Sequence, residues 1–291
     1  MPKCQAGDIA IMYEAYGSGE TVVYLQSVLG GLNPGAYYFA GRLSRRFRVL
    51  IWDGPNCGQS GVSLPPAPSE YHLACGYLAK LLDALGEGPV HLAGCSGGGE
   101  MGLLFAHLYP GRVKSLGMYR PTDTASQPEQ EVIRARYFDI AQAAEHSMEQ
   151  AVKLSQNPPP HRFAGASRWL AELCQKDREK IFALDHKAFS RTLRNWGEWM
   201  GNPLFYRANL TDEELGELRL PVLVCPCSDD FHPERLAVDL KRKLPACTYI
   251  PSEGHRSEQE IYGTGENGFG GFPRFVDHYE RFLEGLVQTT S

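Results

Sequence analysis

One serine, Ser96, lies between glycines in the segment GCSGG, residues 94–98, which has the spacing G-x-S-x-G. It follows an apolar run, residues 89–93, and precedes a second apolar stretch that begins at Met101. A serine at a sharp strand-to-helix turn has an exposed hydroxyl, and glycines two residues away on either side prevent collisions between neighbouring backbones. The first N–H groups of the following helix can stabilise negative charge beside this hydroxyl. The pattern therefore predicts a nucleophilic serine.

A nucleophilic serine needs a base and a carboxylate that orients the base. In a strand-turn-helix arrangement the acid follows the serine along the chain, and the histidine follows the acid. Asp229 and Asp230 come soon after an apolar segment, and His255 lies in a polar loop after the next short strand. We therefore predict a triad of Ser96, His255 and one of these two aspartates. His232 lies in the same loop as the aspartates and is a rival for the role of base.

Strand and helix patterns alternate on both sides of a purely helical region. Apolar segments rich in β-branched and aromatic residues predict strands at 21–25, 47–52, 89–93, 113–119, 221–225 and 247–250. Helical spacing of apolar residues occurs between them, for example over 71–85. Such alternation predicts βαβ units and a parallel sheet. Residues 121–218 have amphipathic helical segments and no strand pattern, so they are predicted to form an insertion.

The composition is that of an ordinary globular protein. Of the 291 residues, 43% are hydrophobic and 22% charged, and the formal net charge is -5. This balance favours neither nucleic acid nor an anionic membrane as a partner, and it fits a small neutral or apolar substrate. Because the N-terminus has no signal-peptide pattern and no segment is long enough to span a membrane, we expect a cytoplasmic protein. Eight scattered cysteines without a CxxC pair predict free thiols and no metal site.

These motifs resemble those of the α/β-hydrolase superfamily, in particular its serine-nucleophile branch of esterases and lactonases. The resemblance rests on four segments: AGCSGGG around Ser96, WDGPNCGQS as the loop after the fourth sheet strand, PVLVCPCSDDFHP around the aspartates and SEGH at His255, which occur in the family order. It implies an α/β fold with a mostly parallel, eight-stranded sheet flanked by helices. Residues 1–120 and 219–291 would form the hydrolase core domain, and 121–218 a helical cap inserted after the sixth strand.

The resemblance leaves two candidates for the triad acid. If Cys227 stands in the place of the family's glycine in G-x-x-D, the acid is Asp230. Counting back from Pro233, as in G-x-D-x-x-H-P, gives Asp229. The second pattern also accounts for His232 and Pro233, so we favour Asp229.

By position in the family fold, the backbone N–H groups of Val28 and Gly97 would form the oxyanion hole. Many family members carry His-Gly after the third strand, whereas this chain has Gln26 and Ser27 there. Because backbone groups bind the oxyanion, this replacement does not by itself abolish the hole. Gln26 is a candidate substrate contact.

The implied activity is that of a serine hydrolase that cleaves carboxylic esters or lactones through an acyl-enzyme, without a metal or organic cofactor. Aromatic residues of the predicted cap, Trp196 and Trp199 among them, favour a small apolar or aromatic substrate. Two alternatives stay open: a carbon–carbon bond hydrolase with the same triad, and a non-catalytic receptor or interaction module of this fold. The glycine-rich loop 256–275 is either a lid over the site or a plain connection, and a homodimer is an open alternative to a monomer.

Overall fold

A computed structural model describes residues 2–28, 30–160, 164–251 and 271–290. In these ranges eight strands form one sheet: β1 (Lys3–Ala6), β2 (Ile9–Tyr16), β3 (Thr21–Leu25), β4 (Arg48–Trp52), β5 (Val90–Cys95), β6 (Val113–Tyr119), β7 (Val222–Cys225) and β8 (Cys247–Tyr249). Their spatial order is β1-β2-β4-β3-β5-β6-β7-β8. β2 runs antiparallel to β1 and β4, and all other neighbours are parallel. The predicted mostly parallel, eight-stranded sheet is confirmed.

Twelve α-helices accompany the sheet in the same ranges: α1 (Pro34–Leu43), α2 (Glu70–Ala84), α3 (Gly97–Leu108), α4 (Gln127–Ile133), α5 (Asp139–Ala144), α6 (Met148–Gln156), α7 (Trp169–Lys176), α8 (Arg178–Phe182), α9 (His186–Met200), α10 (Asp212–Glu217), α11 (Glu234–Lys243) and α12 (Phe272–Thr290). None of these helices combines the length and the apolar character that a membrane span needs. Side-chain caps mark where several begin. Asn33 caps α1 and Ser69 caps α2, each by accepting a hydrogen bond from a backbone N–H of the first turn.

The central strands are mostly apolar, as expected for strands with helices on both faces of the sheet. Val22 and Tyr24 of β3 belong to a core cluster with buried residues of α1 and α12. Val23 and Leu25 belong to the opposite cluster, together with buried residues of α2 and α3. Successive residues of a strand point to opposite faces, so one short apolar strand contributes to both clusters.

The chain between β6 and β7 is helical in its described part, whereas a separate cap over residues 121–218 stays a prediction. It contains α4 to α10, a π-helical turn at Arg134–Phe138 and 3-10 turns at Ala164–Ser167 and Phe205–Arg207. No strand occurs in the described part of this region. Helix α9 buries Phe189, Leu193, Trp196 and Met200, which recur at helical spacing on one face.

Three neighbouring parallel strands bring their following loops to one edge of the sheet. Cys95 at the end of β5 is in register with Tyr119 of β6, and Tyr119 is in register with Cys225 of β7. Because the carboxyl ends of parallel strands lie at the same edge, residues directly after these strands come close together. Ser96 follows β5, and Asp229 follows β7, so both belong to this edge.

Candidate active site

Ser96 lies in a strained turn between β5 and α3. Its φ of 53° and ψ of -133° fall in a region that residues other than glycine rarely adopt. The Ser96 N–H donates to the Tyr119 carbonyl of β6 at 2.8 Å, and the Gly99 N–H donates to the Ser96 carbonyl at 2.8 Å. These hydrogen bonds hold the serine at the carboxyl edge of the sheet.

Glycine at positions 94 and 98 lets three backbone segments meet around this turn. A Cβ atom at Gly94 would lie 2.2 Å from the Gly98 carbonyl carbon, and one at Gly98 would lie 2.1 Å from the Leu25 carbonyl oxygen. Both distances are well inside van der Waals contact. A side chain at Gly94 would therefore push the first turn of α3 away from β5, and one at Gly98 would push the end of β3 away from α3.

The imidazole of His232 is next to the Ser96 hydroxyl. Ser96 Oγ and His232 Nε2 are 3.1 Å apart, and His232 Nδ1 is 2.8 Å from Asp229 Oδ1 and 3.0 Å from Asp229 Oδ2. Because an ionised carboxylate only accepts hydrogen bonds, the proton of the neutral imidazole is on Nδ1, and Nε2 can accept the Ser96 proton. The three side chains form the hydrogen-bond chain that activates a serine nucleophile.

A tight turn after β7 brings Asp229 and His232 together. The N–H groups of Phe231 and His232 donate to Asp229 Oδ1 at 2.9 and 2.7 Å, so the carboxylate folds its own loop back. Both side chains of the Asp229–His232 pair are 7% exposed. Shielding from water strengthens the hydrogen bond that orients the imidazole.

The surroundings keep Asp229 charged and His232 neutral. Burial raises the pKa of Asp229, but the hydrogen bond and charge of His232, together with the charge of Arg120, outweigh burial and lower that pKa to about 2. Burial lowers the pKa of His232 below its ordinary value, and Arg120 acts in the same direction, although Asp229 opposes both. A neutral imidazole beside an ionised carboxylate is the state in which a histidine acts as a base.

Thr122 holds the other side of the Ser96 hydroxyl. Its Oγ1 is 2.9 Å from Ser96 Oγ, and its backbone N–H donates to Glu100 Oε1 at 2.7 Å. When the Ser96 proton points to His232, Thr122 must be the donor in its bond to Ser96. Glu100 is fully buried, and burial raises its pKa well above the ordinary value. The serine oxygen is therefore fixed from two sides.

The loop after β3 contributes to a candidate oxyanion hole. Val28 is buried, and its carbonyl accepts hydrogen bonds from Arg136 Nη2 at 3.1 Å and from Cys57 Sγ at 3.4 Å. Within the described ranges, the backbone N–H groups of Val28 and Gly97 donate to no protein acceptor. Oxyanion donors must be without internal partners in this way, because they have to bind the substrate oxygen.

A pocket of about 290 Å³ adjoins Ser96. Tyr24, Tyr119 and Phe272 line it, and the Phe272 ring centroid is 5.9 Å from that of Tyr24 and 6.0 Å from that of Tyr119. Gln26 also lines the pocket; its Nε2 donates to the Trp52 carbonyl at 3.1 Å, and its Oε1 has no hydrogen-bond partner among the described residues. The pocket thus combines an aromatic wall with a polar edge.

Comparison with known proteins finds similarity to α/β-hydrolases. A model of the alpha/beta hydrolase fold matches residues 21–144. A protein of Azorhizobium caulinodans with the provisional name carbamate hydrolase RutD is 27% identical over 250 residues, which are 84% of this chain and 87% of that protein. The chain has the α/β-hydrolase fold.

The names of other proteins similar to this chain specify different bonds. The enol-lactonase of Burkholderia xenovorans LB400 has a TM-score of 0.59 at 16% identity, and the match covers 99% of this chain and 100% of that one. A 2-hydroxy-6-oxononadienedioate/2-hydroxy-6-oxononatrienedioate hydrolase of Burkholderia vietnamiensis is 34% identical over 116 residues, 38% of this chain and 39% of that protein. The names agree on hydrolysis, so the class of protein that they support is a hydrolase.

The structure describes both aspartates predicted as the triad acid, but not the histidine that the sequence favours as the base. Asp229 contacts the imidazole of His232, whereas Asp230 is exposed. His255, the base favoured from the sequence, lies outside the described residues, so its role stays a prediction. The same holds for residues 256–270 of the predicted lid, while residues 272–275 form the first turn of α12.

The two tryptophans predicted as substrate contacts pack against other side chains of the hydrolase. Trp196 is 1% exposed, and its Nε1 donates to the Ala67 carbonyl at 3.0 Å. The Trp199 ring centroid is 5.3 Å from that of Tyr71 and 5.5 Å from that of Phe205. Neither tryptophan lines the pocket of about 290 Å³ beside Ser96. The rings that do line it belong to the sheet and to α12.

Thr122 and Arg136 contact the site but were not predicted from the sequence. Thr122 follows β6 closely, and the position directly after a parallel strand is a signal that could have identified it. Arg136 has no such signal, because its partners Glu70 and Val28 are 66 and 108 residues away along the chain.

Proposed function

We propose that this chain is a serine hydrolase that cleaves a carboxylic ester or lactone through an acyl-enzyme. Ser96 is the nucleophile, His232 the general base and Asp229 the carboxylate that orients it. The observation that carries the proposal is the chain of hydrogen bonds from Ser96 Oγ through His232 to Asp229. The Ser96 Oγ to His232 Nε2 distance of 3.1 Å is within the reach of a general base.

In the acylation step, Ser96 Oγ forms a bond to the substrate carbonyl carbon while its proton passes to His232 Nε2. The imidazolium, supported by the charge of Asp229, then gives this proton to the leaving oxygen, and the alcohol departs. Water attacks the acyl carbon in the second step, His232 takes its proton and returns it to Ser96 Oγ, and the acid is released. The N–H groups of Val28 and Gly97 stabilise the negative oxygen of both tetrahedral intermediates.

The pocket beside Ser96 supports a substrate with a compact apolar or aromatic group. Its volume is about 290 Å³. An apolar cavity of about 150 Å³ holds a benzene molecule, so this pocket has room for one substituted ring. The wall formed by Tyr24, Tyr119 and Phe272 suits such a ring by edge-to-face contact.

The proposal is tested with Ser96→Ala and a panel of substrates. We expect wild-type protein to hydrolyse small aryl esters or lactones and to be labelled on Ser96 by an aryl organophosphonate, with the adduct located by mass spectrometry. Ser96→Ala should lower kcat by about 10⁴-fold or more and remove the label. Undiminished turnover by Ser96→Ala would exclude this mechanism, and ligand binding without turnover by the wild type would instead indicate a receptor.

A carbamate is the second candidate substrate, because the relative that aligns over 84% of this chain carries that provisional name. The same residues would attack a carbamate carbonyl in the same way. Aryl carbamates and vinylogous diketones therefore belong in the panel, the latter as substrates for carbon–carbon cleavage. The substrate class with the highest kcat/KM identifies the bond, and we expect it to be the ester or lactone class.

A further inference from the structure

A buried ion pair connects the helical region between β6 and β7 to the core of the protein. Arg136, in the π-helical turn Arg134–Phe138, places Nη2 2.8 Å from Glu70 Oε1 and 3.1 Å from Glu70 Oε2. Glu70 is the first residue of α2, and Tyr137 Oη donates to its Oε2 at 2.6 Å. Both side chains of the ion pair are almost completely buried. The pair therefore joins two elements that are distant in the sequence.

The same Arg136 guanidinium also reaches the loop after β3. Nη2 donates to the Val28 carbonyl at 3.1 Å, and Cys57 Sγ donates to the same oxygen at 3.4 Å. A guanidinium presents several N–H groups in a fixed plane, so it can bind a carboxylate and a carbonyl at once. Val28 thus has its carbonyl held by a charged donor from the helical region.

Contacts around Arg136 fix the guanidinium in this position. Its backbone carbonyl accepts a hydrogen bond from Trp169 Nε1 at 2.9 Å, and its guanidinium carbon lies 5.0 Å from the Trp169 ring centroid.

A buried ion pair contributes little net stability compared with apolar residues of the same volume, because both charges lose their hydration. Stability alone is therefore a weak reason for a charged pair in this place.

Anchoring the Val28 carbonyl restricts where the Val28 N–H can point. The Val28 side chain is buried in the core cluster on the α2 and α3 face of the sheet, and its carbonyl is fixed by Arg136. With two substituents of a tetrahedral Cα held, the position of the third, the backbone nitrogen, follows, and its N–H can then turn only about the N–Cα bond. The Val28 N–H is one of the two donors of the candidate oxyanion hole, so its direction controls how well the hole binds a developing charge.

We infer that Arg136 is a positioning residue for the oxyanion hole, acting on Val28 from the helical region and held in place by Glu70. This inference rests on the proposed serine-hydrolase function. It means that the helical region supplies a hydrogen bond on which the hole depends. Displacing the π-helical turn from the core would release the Val28 carbonyl and misdirect the donor.

The test compares Arg136→Lys with Tyr137→Phe. Lysine keeps the charge beside Glu70 but cannot bind the carboxylate and the Val28 carbonyl in the guanidinium's planar geometry. Tyr137→Phe is the matched control, because it removes the hydrogen bonds of Tyr137 Oη with the Glu70 carboxylate and with Arg136 Nε and leaves the contact of Arg136 Nη2 with Val28 intact. For Arg136→Lys we expect kcat on an aryl ester to fall by about 10- to 100-fold, with KM changed by less than about threefold. Tyr137→Phe should keep kcat within about threefold.

A transition-state analogue separates positioning from loss of folded protein. An aryl trifluoromethyl ketone is attacked by Ser96 Oγ, whose proton passes to His232, and the adduct carries its negative oxygen in the oxyanion hole. Its inhibition constant should rise in Arg136→Lys by the same factor by which kcat/KM falls. An unchanged inhibition constant, or a kcat equal to that of the wild type, would overturn the inference.

A second variant covers the case in which Arg136→Lys does not fold. The double variant Glu70→Gln with Arg136→Met removes both charges together, so it leaves no unpaired buried charge. It should fold and show the same loss of kcat, and recovery of wild-type kcat would overturn the inference. Ser96→Ala in the same assay distinguishes failure of the proposed function from failure of the role of Arg136. If Ser96→Ala retains turnover, the proposed function is refuted. If Ser96→Ala is inactive and Arg136→Lys is fully active, only the role of Arg136 is refuted.

Discussion

Replacing His232 by glutamine is the sharpest test of the proposed triad. The glutamine amide can still donate to Asp229, so the loop after β7 keeps one of its side-chain hydrogen bonds. It cannot take the Ser96 proton, because an amide is not basic. The Ser96 hydroxyl would then remain protonated during attack, still held by Thr122 Oγ1 at 2.9 Å. We expect a folded protein with a nearly inactive nucleophile.

The size of the loss follows from what His232 does in the structure. It is the acceptor 3.1 Å from Ser96 Oγ, and its other nitrogen is 2.8 Å from Asp229, so its removal disconnects both remaining members of the triad. Members of a triad act as a unit, and loss of the histidine typically costs about 10⁴-fold in kcat or more. This corresponds to about 5 kcal/mol of transition-state stabilisation at about 1.4 kcal/mol for each factor of ten.

The matched control is His255→Gln, since His255 is the base that the sequence favours. Both variants are assayed for kcat and KM with an aryl ester, and circular dichroism checks that each is folded. We expect His255→Gln to keep kcat within about tenfold of the wild type and His232→Gln to lose about 10⁴-fold. The reverse result, a large loss in His255→Gln and a small one in His232→Gln, would refute the assignment of His232.

The dependence of kcat/KM on pH in the wild type is an independent test of His232 as the general base. Burial, helped by the charge of Arg120, lowers the pKa of His232 despite the opposing effect of Asp229. Only the neutral imidazole accepts the serine proton, so kcat/KM should fall when His232 becomes protonated. As the pH is lowered from 7, kcat/KM should at first stay constant and then fall, with a midpoint below the ordinary histidine value of about 6.5. A midpoint above this value would contradict the described environment of His232.

Two further predictions concern carboxylates. Asp229→Asn should lower kcat by about 10⁴-fold, because an amide cannot hold the proton on His232 Nδ1. Asp230→Asn should change kcat by less than about threefold. If steady-state kinetics gave equal or reversed effects for the two variants, Asp229 would not be the triad acid. Burial, with a contribution from Asp123, raises the pKa of Glu129 from 4.5 to about 7, so the folded state loses stability as pH rises from 4.5 to 7. Glu129→Gln should therefore leave the free energy of unfolding almost unchanged at pH 4.5 and raise it by about 3 kcal/mol at pH 8, and equal urea midpoints for the variant and the wild type at pH 8 would speak against this.

The strands of the sheet could be predicted closely because their signal is local. All six strands predicted from Thr21 onward are present, with ends that agree within two residues. Continuous apolar runs of this length can be buried on both faces only in a sheet covered by helices, which is why the parallel arrangement also followed. The antiparallel strands β1 and β2 were implied only by the family resemblance.

The aromatic residues of the helical region show where local patterns were insufficient. Trp196 and Trp199 were expected to contact substrate because they are large, apolar and part of the predicted cap. The sequence does not show which neighbours the two faces of α9 contact. In the structure Trp196 donates a hydrogen bond to the Ala67 carbonyl, and Trp199 packs beside Tyr71. The rings that line the pocket beside Ser96 come from separate elements, so no single segment carried their signal.

The sequence by itself determined that Ser96 is a nucleophile candidate and that Asp229 or Asp230 stands at the same edge of the sheet. Both conclusions depend on spacing within one strand and the turn that follows it, and such spacing is a property of the local chain. The tertiary structure decided that Asp229 faces an imidazole, that this imidazole is His232, and that Thr122 and Arg136 contact the serine and the oxyanion loop. Asp229 and His232 lie three residues apart in one turn, but the other relations depend on how segments separated by 26 to 136 residues converge. Their convergence is set by the packing of the whole sheet and its helices, which no short segment of the sequence encodes.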